Sequence, residues 1–263
     1  MTHPSPDHPP VVVHPDADLL ARATASRFLL TLLDAQSVTT PVHVAVTGGS
    51  ILIDVLRAAG EDPLRDAVDW SAVHVWWGDE RFVPDGHADR IDRDAIDVLF
   101  DRVPLPAENL HTVPGPDRVA DVEAAARSYT EELARFAAPG AEVPDIAVVL
   151  LGMGPDGHVA SLFPGRPSLG VESLGALAET DSPKPPAERV SLTLPTLNSA
   201  QQVWLIVSGE AKADAVAAGL QHTSLPADVG GTGDGASVPA GLVRARGRTL
   251  WLVDVPATRA LQA

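Results

Sequence analysis

The run LLGMGPDGHVASLFPG, residues 150–165, is the most informative stretch of the chain. It overlaps the end of the apolar residues 146–151, which predict a strand buried on both faces. That strand leads into a glycine-rich turn that carries Asp156 and His158. Glycine lets the backbone approach a ligand closely, and an imidazole titrates near neutral pH. The stretch therefore predicts a ligand site at the end of a buried strand.

Apolar runs and helical periodicity alternate along the rest of the chain. This alternation is typical of an α/β fold with a mostly parallel sheet and helices on both faces. Ligands of such open sheets bind at the carboxyl ends of the strands. The predicted strands are residues 11–13, 42–46, 73–77, 146–151, 203–207 and 249–253, and the predicted helices include residues 51–59, 88–100, 122–136 and 210–220.

The bulk composition predicts one globular domain. The chain has 263 residues, 45% of them hydrophobic, enough for the core of a single domain over residues 11–263. Residues 1–10 are rich in Pro and His and lack an apolar core, so we expect a disordered tail and no signal peptide. No run approaches the ~20 apolar residues of a membrane span, so the expected location is the cytoplasm.

Charge and cysteine content exclude several function classes. The net charge of −16 argues against nucleic acid as a partner. An acidic protein that handles an anion must concentrate its few cations locally, which draws attention to Lys184, Arg189 and Lys212. Lys212 lies just inside a predicted helix, where a plain surface lysine is the alternative. The chain has no cysteine and no metal-ligand cluster, which excludes disulfides, thiolate metal sites and a cysteine nucleophile.

Two predicted strands end in polar motifs. Thr47, Gly48, Gly49 and Ser50 follow the first of them and open a helix, whose free N–H groups suit a phosphate. The alternative is a tight turn in which Ser50 only caps the helix.

The second motif follows the buried strand that contains Trp76 and Trp77, which we interpret as core residues. Here Gly78 precedes Asp79, Glu80 and Arg81, which could orient a water, a sugar hydroxyl or an anion. The alternative is a solvated loop with an exposed ion pair of roughly 0–1 kcal/mol.

His158 is the predicted general base. It can accept a proton from water near neutral pH, because the ordinary pKa of histidine is about 6.5. Asp156 either orients the ring or bonds within the turn, and a buried core histidine is the alternative for His158 itself. His43 and His74 lie inside predicted strands and are interpreted as structural.

These residues occur in motifs that resemble those of the 6-phosphogluconolactonases. The similarity spans residue 42 to the last strand and keeps the family's order of motifs. The matching pieces are TGGS at 47–50, WWGDERFVP at 76–84, GMGPDGHVASLFPG at 152–165, DSPKPPAERVSLT at 181–193 and SGEAKA at 208–213.

The resemblance implies a fold of the glucosamine-6-phosphate deaminase and ribose-5-phosphate isomerase type. It implies hydrolysis of 6-phosphoglucono-δ-lactone to 6-phosphogluconate in the pentose phosphate pathway, without a cofactor or a metal. The small-molecule lactone is then the partner, no membrane or nucleic acid is involved, and the oligomeric state stays open, with a monomer compatible. In this reading His158, Asp79 and Arg81 are catalytic, and the residues that bind substrate or phosphate are Thr47, Gly48, Gly49, Ser50, Asp156, Gly157, Arg189 and Lys212.

The chain departs from the family pattern in two places. Ile51 and Leu52 follow the Gly-Gly-Ser turn, where the family usually has a small or polar pair, and Ile91 aligns with a usual Asn. Both departures remove polar contacts near the predicted sugar phosphate.

Two other function classes remain open from the sequence. Related deaminases usually continue the Gly-His motif with IAFNEP, whereas residues 159–164 here read VASLFP. A phosphosugar sensor of the repressor type needs a DNA-binding module, which the thirteen residues before the first helix cannot form. A weakened, non-catalytic relative of the lactonases is a further alternative.

Overall fold

The computed structural model describes residues 9–223 and 238–261 and is built around a seven-stranded sheet. Every neighbouring pair of strands in this sheet is parallel. The strands, in spatial order, are β1 (Val11–His14), β10 (Arg248–Asp254), β9 (Gln202–Val207), β6 (Ile146–Gly152), β2 (Val42–Val46), β3 (Val73–Trp77) and β5 (Leu110–His111).

The middle strands of the sheet are buried on both faces, as their unbroken apolar sequences predict. All five residues of β2 are buried, and Trp76 and Trp77 of β3 have no exposed surface, which confirms them as core residues. Burial of one large apolar side chain contributes about 1.5–3 kcal/mol, so these strands anchor the sheet.

Helices connect the strands and pack on the sheet and on each other. Asp16 caps the first helix, since its Oδ1 accepts the N–H of Leu19 at 2.8 Å. The mostly parallel sheet with connecting helices confirms the predicted fold class. The helices are α1 (Ala17–Gln36), α2 (Ser50–Glu61), α3 (Ile91–Val98), α4 (Val122–Arg135), α5 (Leu194–Asn198) and α6 (Ala213–Thr223).

A second, three-stranded antiparallel sheet lies beyond the end of β3. It consists of β4 (Asp79–Arg81), β8 (Arg189–Leu192) and β7 (Ala176–Glu179), in that order. The alternative of a solvated loop at Asp79–Arg81 is therefore wrong, and β7 is a strand that the sequence did not indicate. The strand β4 has three residues and pairs with residues more than a hundred positions away, and β7 has only four residues, so neither strand carries much periodicity of its own.

Helix α3 is shorter than the predicted helix over residues 88–100. It begins at Ile91 because the buried carboxylate of Glu80 accepts the backbone N–H groups of Ile91 (2.8 Å) and Asp92 (2.9 Å). The carboxylate thus ties the start of α3 to β4. Burial and the charge of Asp92 raise the pKa of Glu80 to about 7, against the lowering effect of Arg90 and the two N–H groups.

The prediction of a disordered tail falls mainly on residues 1–8, which lie outside the described residues. Within the described part of the chain, no helix has the length and apolar character needed to cross a bilayer.

Candidate active site

A cavity of about 330 Å³ opens where the carboxyl ends of neighbouring strands of the large sheet meet the small sheet. This volume is within the range of small-molecule sites. The predicted site residues among its lining are Thr47, Gly48, Gly49, Asp79, Arg81, His158, Arg189 and Lys212. The other lining residues are Ile51, Ile91, Gly152, Met153, Gly154, Pro155, Ala160, Lys184 and Pro185.

Two glycine turns form one side of the cavity and touch each other. The hydroxyl of Thr47 donates to the carbonyl of Leu150 at 3.2 Å and accepts the N–H of Gly152 at 3.0 Å. A Cβ at Gly152 would lie 2.9 Å from the carbonyl oxygen of Gly48, closer than real side chains approach. The hydroxyl of Thr47 therefore serves to join the two turns, and only glycine fits at their contact.

The turn after β2 presents the start of α2 to the cavity. Gly49 precedes the helix with a φ of 119°, a conformation that favours glycine. Ser50 is the exposed first residue of α2, and no side chain in the described part of the chain caps the helix, so the alternative role of Ser50 as a cap is wrong. The first N–H groups of a helix have no partner within it, which leaves them available to an anion.

His158 reaches the cavity from the turn after β6 and is held by Asp156. Its Nδ1 lies 2.5 Å from Oδ1 of Asp156, and its side chain is 16% exposed. The ring also packs at 4.6 Å from the ring of Phe163. Since Nδ1 is engaged, Nε2 is the nitrogen left to exchange a proton.

Burial makes His158 a neutral base. Desolvation lowers its pKa below the ordinary value, and the charge of Lys184 lowers it further, against the raising effects of Asp156 and Asp79. For Asp156, burial by itself would raise the pKa, but the hydrogen bond from His158 and the charges of His158 and Lys184 together lower it. The site thus combines a neutral imidazole with an ionised carboxylate.

The structure distinguishes the two carboxylates that could support His158. Asp156 makes the direct contact, whereas Asp79 is 4% exposed and accepts a hydrogen bond from the hydroxyl of Ser161 at 2.8 Å. Gly157 has a φ of 80° and faces the side chain of Val238, which would leave no space for a Cβ. It shapes the turn that carries His158, and the structure gives it no place among the cavity-lining residues.

Arg81 and Arg189 reach the cavity from the small sheet. Arg81 donates from Nη1 to the carbonyl of Asp89 at 2.6 Å, while its buried Nε has no hydrogen-bond partner within the described residues. Arg189 is 4% exposed and donates to the carbonyls of Lys184 (2.9 Å), Pro185 (3.3 Å) and Pro186 (3.1 Å). Two of the three guanidinium nitrogens of Arg189, Nε and Nη2, therefore bond the neighbouring loop, so less of this side chain is available to a ligand than the sequence predicts.

Both lysines of the chain, Lys184 and Lys212, line this cavity. Burial lowers the pKa of Lys212, and the charge of Lys184 lowers it further against the pull of Asp254. Among the described residues that line the cavity, the two lysines and the two arginines place four cations against one carboxylate, Asp79, in a protein of net charge −16. This local excess of positive charge suits an anionic ligand.

Sequence reasoning singled out Lys184 as a scarce cation but did not include it in the site. The signal was its place in a motif of the resemblance, at residues 181–193. Ile51 and Ile91, the departures from the family pattern, do line the cavity, while Leu52 is fully buried beneath it. Within residues 9–223 and 238–261 no group of His, Asp or Glu is arranged to hold a metal ion.

The chain is similar in sequence to a known protein family and to characterised members of it. The family described as glucosamine-6-phosphate isomerases/6-phosphogluconolactonase matches residues 15–251. The chain is 43% identical to a 6-phosphogluconolactonase of Streptomyces coelicolor over 259 residues, 97% of this chain and 95% of the relative. It is 38% identical to a 6-phosphogluconolactonase of Mycobacterium tuberculosis over 93% of this chain and 95% of the relative.

Solved structures show the same architecture. The fold is similar to that of 6-phosphogluconolactonase from Thermotoga maritima, with a TM-score of 0.77, 25% identity, and coverage of 93% of this chain and 99% of the other. A monomeric glucosamine-6-phosphate deaminase matches with a TM-score of 0.73 at 16% identity, covering 95% of this chain and 99% of the other, which shows a shared fold alone.

Proposed function

The chain belongs to the family of glucosamine-6-phosphate isomerases and 6-phosphogluconolactonases, and we propose how its residues carry out the lactonase reaction of that family. It is an enzyme that hydrolyses 6-phospho-D-glucono-1,5-lactone to 6-phospho-D-gluconate, a step of the pentose phosphate pathway. The relatives at 38% and 43% identity are lactonases, which favours this reaction over deamination. The observation that carries the mechanism is a carboxylate-held imidazole that shares one cavity with four cations.

The phosphate of the substrate binds where the start of α2 and Lys212 face the cavity. Backbone N–H groups at Gly48, Gly49 and Ser50 supply neutral donors, and Lys212 supplies a charge. The guanidinium of Arg189 contributes through Nη1, since its other nitrogens bond the loop carbonyls. These contacts act mainly by placing the lactone ring against His158.

His158 acts as the general base. Its Nε2 takes a proton from a water molecule as the water oxygen attacks the lactone carbonyl carbon, which yields a tetrahedral oxyanion. Asp156 holds the ring and stabilises the imidazolium that forms. Positioned proton transfer of this kind contributes typically 10²–10⁴-fold in rate.

Collapse of the oxyanion completes the reaction. The bond between the carbonyl carbon and the ring oxygen breaks, and the ring oxygen recovers the proton from the imidazolium. The buried Nε of Arg81, free of a partner in the described residues, supports Arg81 as a donor to the oxyanion. Asp79 orients sugar hydroxyls through a carboxylate that Ser161 holds in place.

Ile51 and Ile91 give this cavity an apolar floor. The two isoleucine side chains pack against the lactone ring, and the charged residues recognise the hydroxyl groups of the substrate. The cytoplasmic location and the absence of nucleic-acid partners remain predictions from the composition.

Proton release tests this function, because the carboxylic acid product ionises at neutral pH. Freshly generated 6-phosphogluconolactone is added to the purified protein, with the unphosphorylated lactone as a control. We expect release well above the uncatalysed rate with the phosphorylated substrate and much slower release with the control. Equal rates for both lactones would contradict the phosphate-binding role of the cavity, and no acceleration with either would contradict the function.

A further inference from the structure

Lys184 contacts the same carboxylate that holds the proposed general base. Its Nζ lies 3.6 Å from Oδ1 of Asp156 and 3.3 Å from Nδ1 of His158. The carboxylate oxygen of Asp156 that bonds His158 is thus also paired with a cation. A carboxylate shared in this way stabilises an imidazolium less than one that serves the imidazole alone.

The loop that carries Lys184 is held firmly from several directions. The hydroxyl of Ser182 accepts the N–H of Lys184 at 3.2 Å and donates to its carbonyl at 2.9 Å. Arg189 donates to that same carbonyl and to the carbonyls of Pro185 and Pro186. The Arg189 guanidinium also lies 5.7 Å from the ring centre of Phe163, the ring that packs on His158. The backbone at Lys184 is therefore fixed by the loop of the small sheet, and its side chain, 41% exposed, reaches Asp156 and His158 from there.

We propose that Lys184 is a positioning residue for the hydrolysis, which shares Asp156 with His158 and thereby keeps the imidazole in its neutral, proton-accepting form. This inference rests on the proposed role of His158 as the general base. It gives the chain's two lysines different tasks, since Lys212 holds the substrate and Lys184 acts on the base.

The sign of the effect follows from the charges around His158. Asp156, on its own turn, and Asp79, on β4, raise its pKa, while Lys184 lowers it. Lys212, the residue before α6, is a second cation near Lys184, whose charge lowers the pKa of Lys212. Removal of the Lys184 charge therefore raises the pKa of His158, so more of the enzyme carries a protonated, inactive imidazole at mildly acidic pH.

The pH profile of kcat/KM tests this inference with the purified enzyme and 6-phosphogluconolactone, after subtraction of uncatalysed hydrolysis at each pH. In Lys184→Met we expect the acidic limb to move up by about half a unit to one unit. Lys184→Arg keeps the charge and restores the wild-type limb. Lys212→Met is the matched control, in which KM rises and the limb stays in place.

An NMR titration of the His158 imidazole gives the same quantity for a variant too slow to assay. An acidic limb and an imidazole pKa that stay unmoved in Lys184→Met, or that move equally in Lys184→Arg, overturn the inference. A uniform loss of activity at every pH with an unmoved limb shows a merely structural role and overturns it too. Failure of the proposed function looks different, because wild type itself then shows no limb that matches the titration of His158.

Discussion

The two sides of the cavity are built in different ways. The glycine wall, formed by Thr47, Gly48, Gly49, Gly152 and Gly154, comes from turns at the ends of adjacent parallel strands. The charged wall, formed by Asp79, Arg81, Lys184 and Arg189, comes from the small antiparallel sheet and its loop. The glycine wall offers close backbone and neutral N–H groups, while the charged wall supplies Lys184 and Asp79, which act with Asp156 on the protonation of His158.

The difference shows that the backbone groups that place the substrate and the charged side chains of the small sheet come from different parts of the fold. A change in the glycine wall is expected to alter where the substrate lies and to leave the pH dependence alone. A change around the charged wall is expected to alter protonation, with a sign set by the charge removed. His158 lies on the turn after β6 and contacts Lys184 of the charged wall. Its loss removes the general base, on which the roles of both walls depend.

Replacement of His158 has the largest expected effect. In His158→Asn we expect kcat to fall by about 10²–10⁴-fold, because no group remains to take the proton from water. Steady-state hydrolysis above the uncatalysed background measures this. His14→Asn, at the end of β1, is the matched control and should stay within about twofold of wild type. Activity of His158→Asn within threefold of wild type would eliminate the base.

The variant Asp156→Asn tests two roles of Asp156, which orients the His158 ring and places a negative charge beside it. We expect kcat at neutral pH to fall by about 10²-fold, since the ring loses the carboxylate that holds it. Asp156 raises the pKa of His158, so its loss lowers that pKa and moves the acidic limb to lower pH, opposite to Lys184→Met. The pH profile of kcat/KM measures both effects.

The control for this variant is Asp181→Asn, which removes an exposed carboxylate that pairs with Arg166. It should leave the profile unchanged. An acidic limb that moves up in Asp156→Asn would contradict the account of the charges.

Gly152→Ala tests the glycine wall and has the smallest expected effect. The added Cβ would lie 2.9 Å from the carbonyl oxygen of Gly48, so the two turns must move apart. We expect kcat/KM to fall by about tenfold, mainly through KM, with no movement of the acidic limb. Gly170→Ala, where nothing lies within 4 Å of the new Cβ, is the matched control and should be neutral.

The sequence predicted the glycine wall better than the charged wall. Each glycine turn directly follows an apolar strand, so the local sequence is enough to place the residues around Gly48 and His158 at strand ends. The small sheet depends on pairs such as Asp79 with Ser191, which lie far apart in the chain. Periodicity carries no signal for such pairs.

Some site contacts also depend on atoms that no motif specifies. The bond between Asp156 and His158 shows that Asp156 orients the ring, where the sequence left a bond within the turn as the alternative. Arg189, which the sequence predicts to bind the substrate, donates a hydrogen bond to the carbonyl of Lys184 and so also supports the backbone of that cation. Such contacts follow from side-chain geometry, which the residue types alone do not determine.

The central claim is that both walls bind one ligand, and an NMR titration with the product 6-phosphogluconate tests it most directly. The backbone amide signals of Gly48 and Gly49 report the glycine wall, and the side-chain Nε–H signal of Arg81 reports the charged wall. We predict that all of them shift with a single Kd. Shifts confined to one set, or two sets that follow different Kd values, would contradict a shared site.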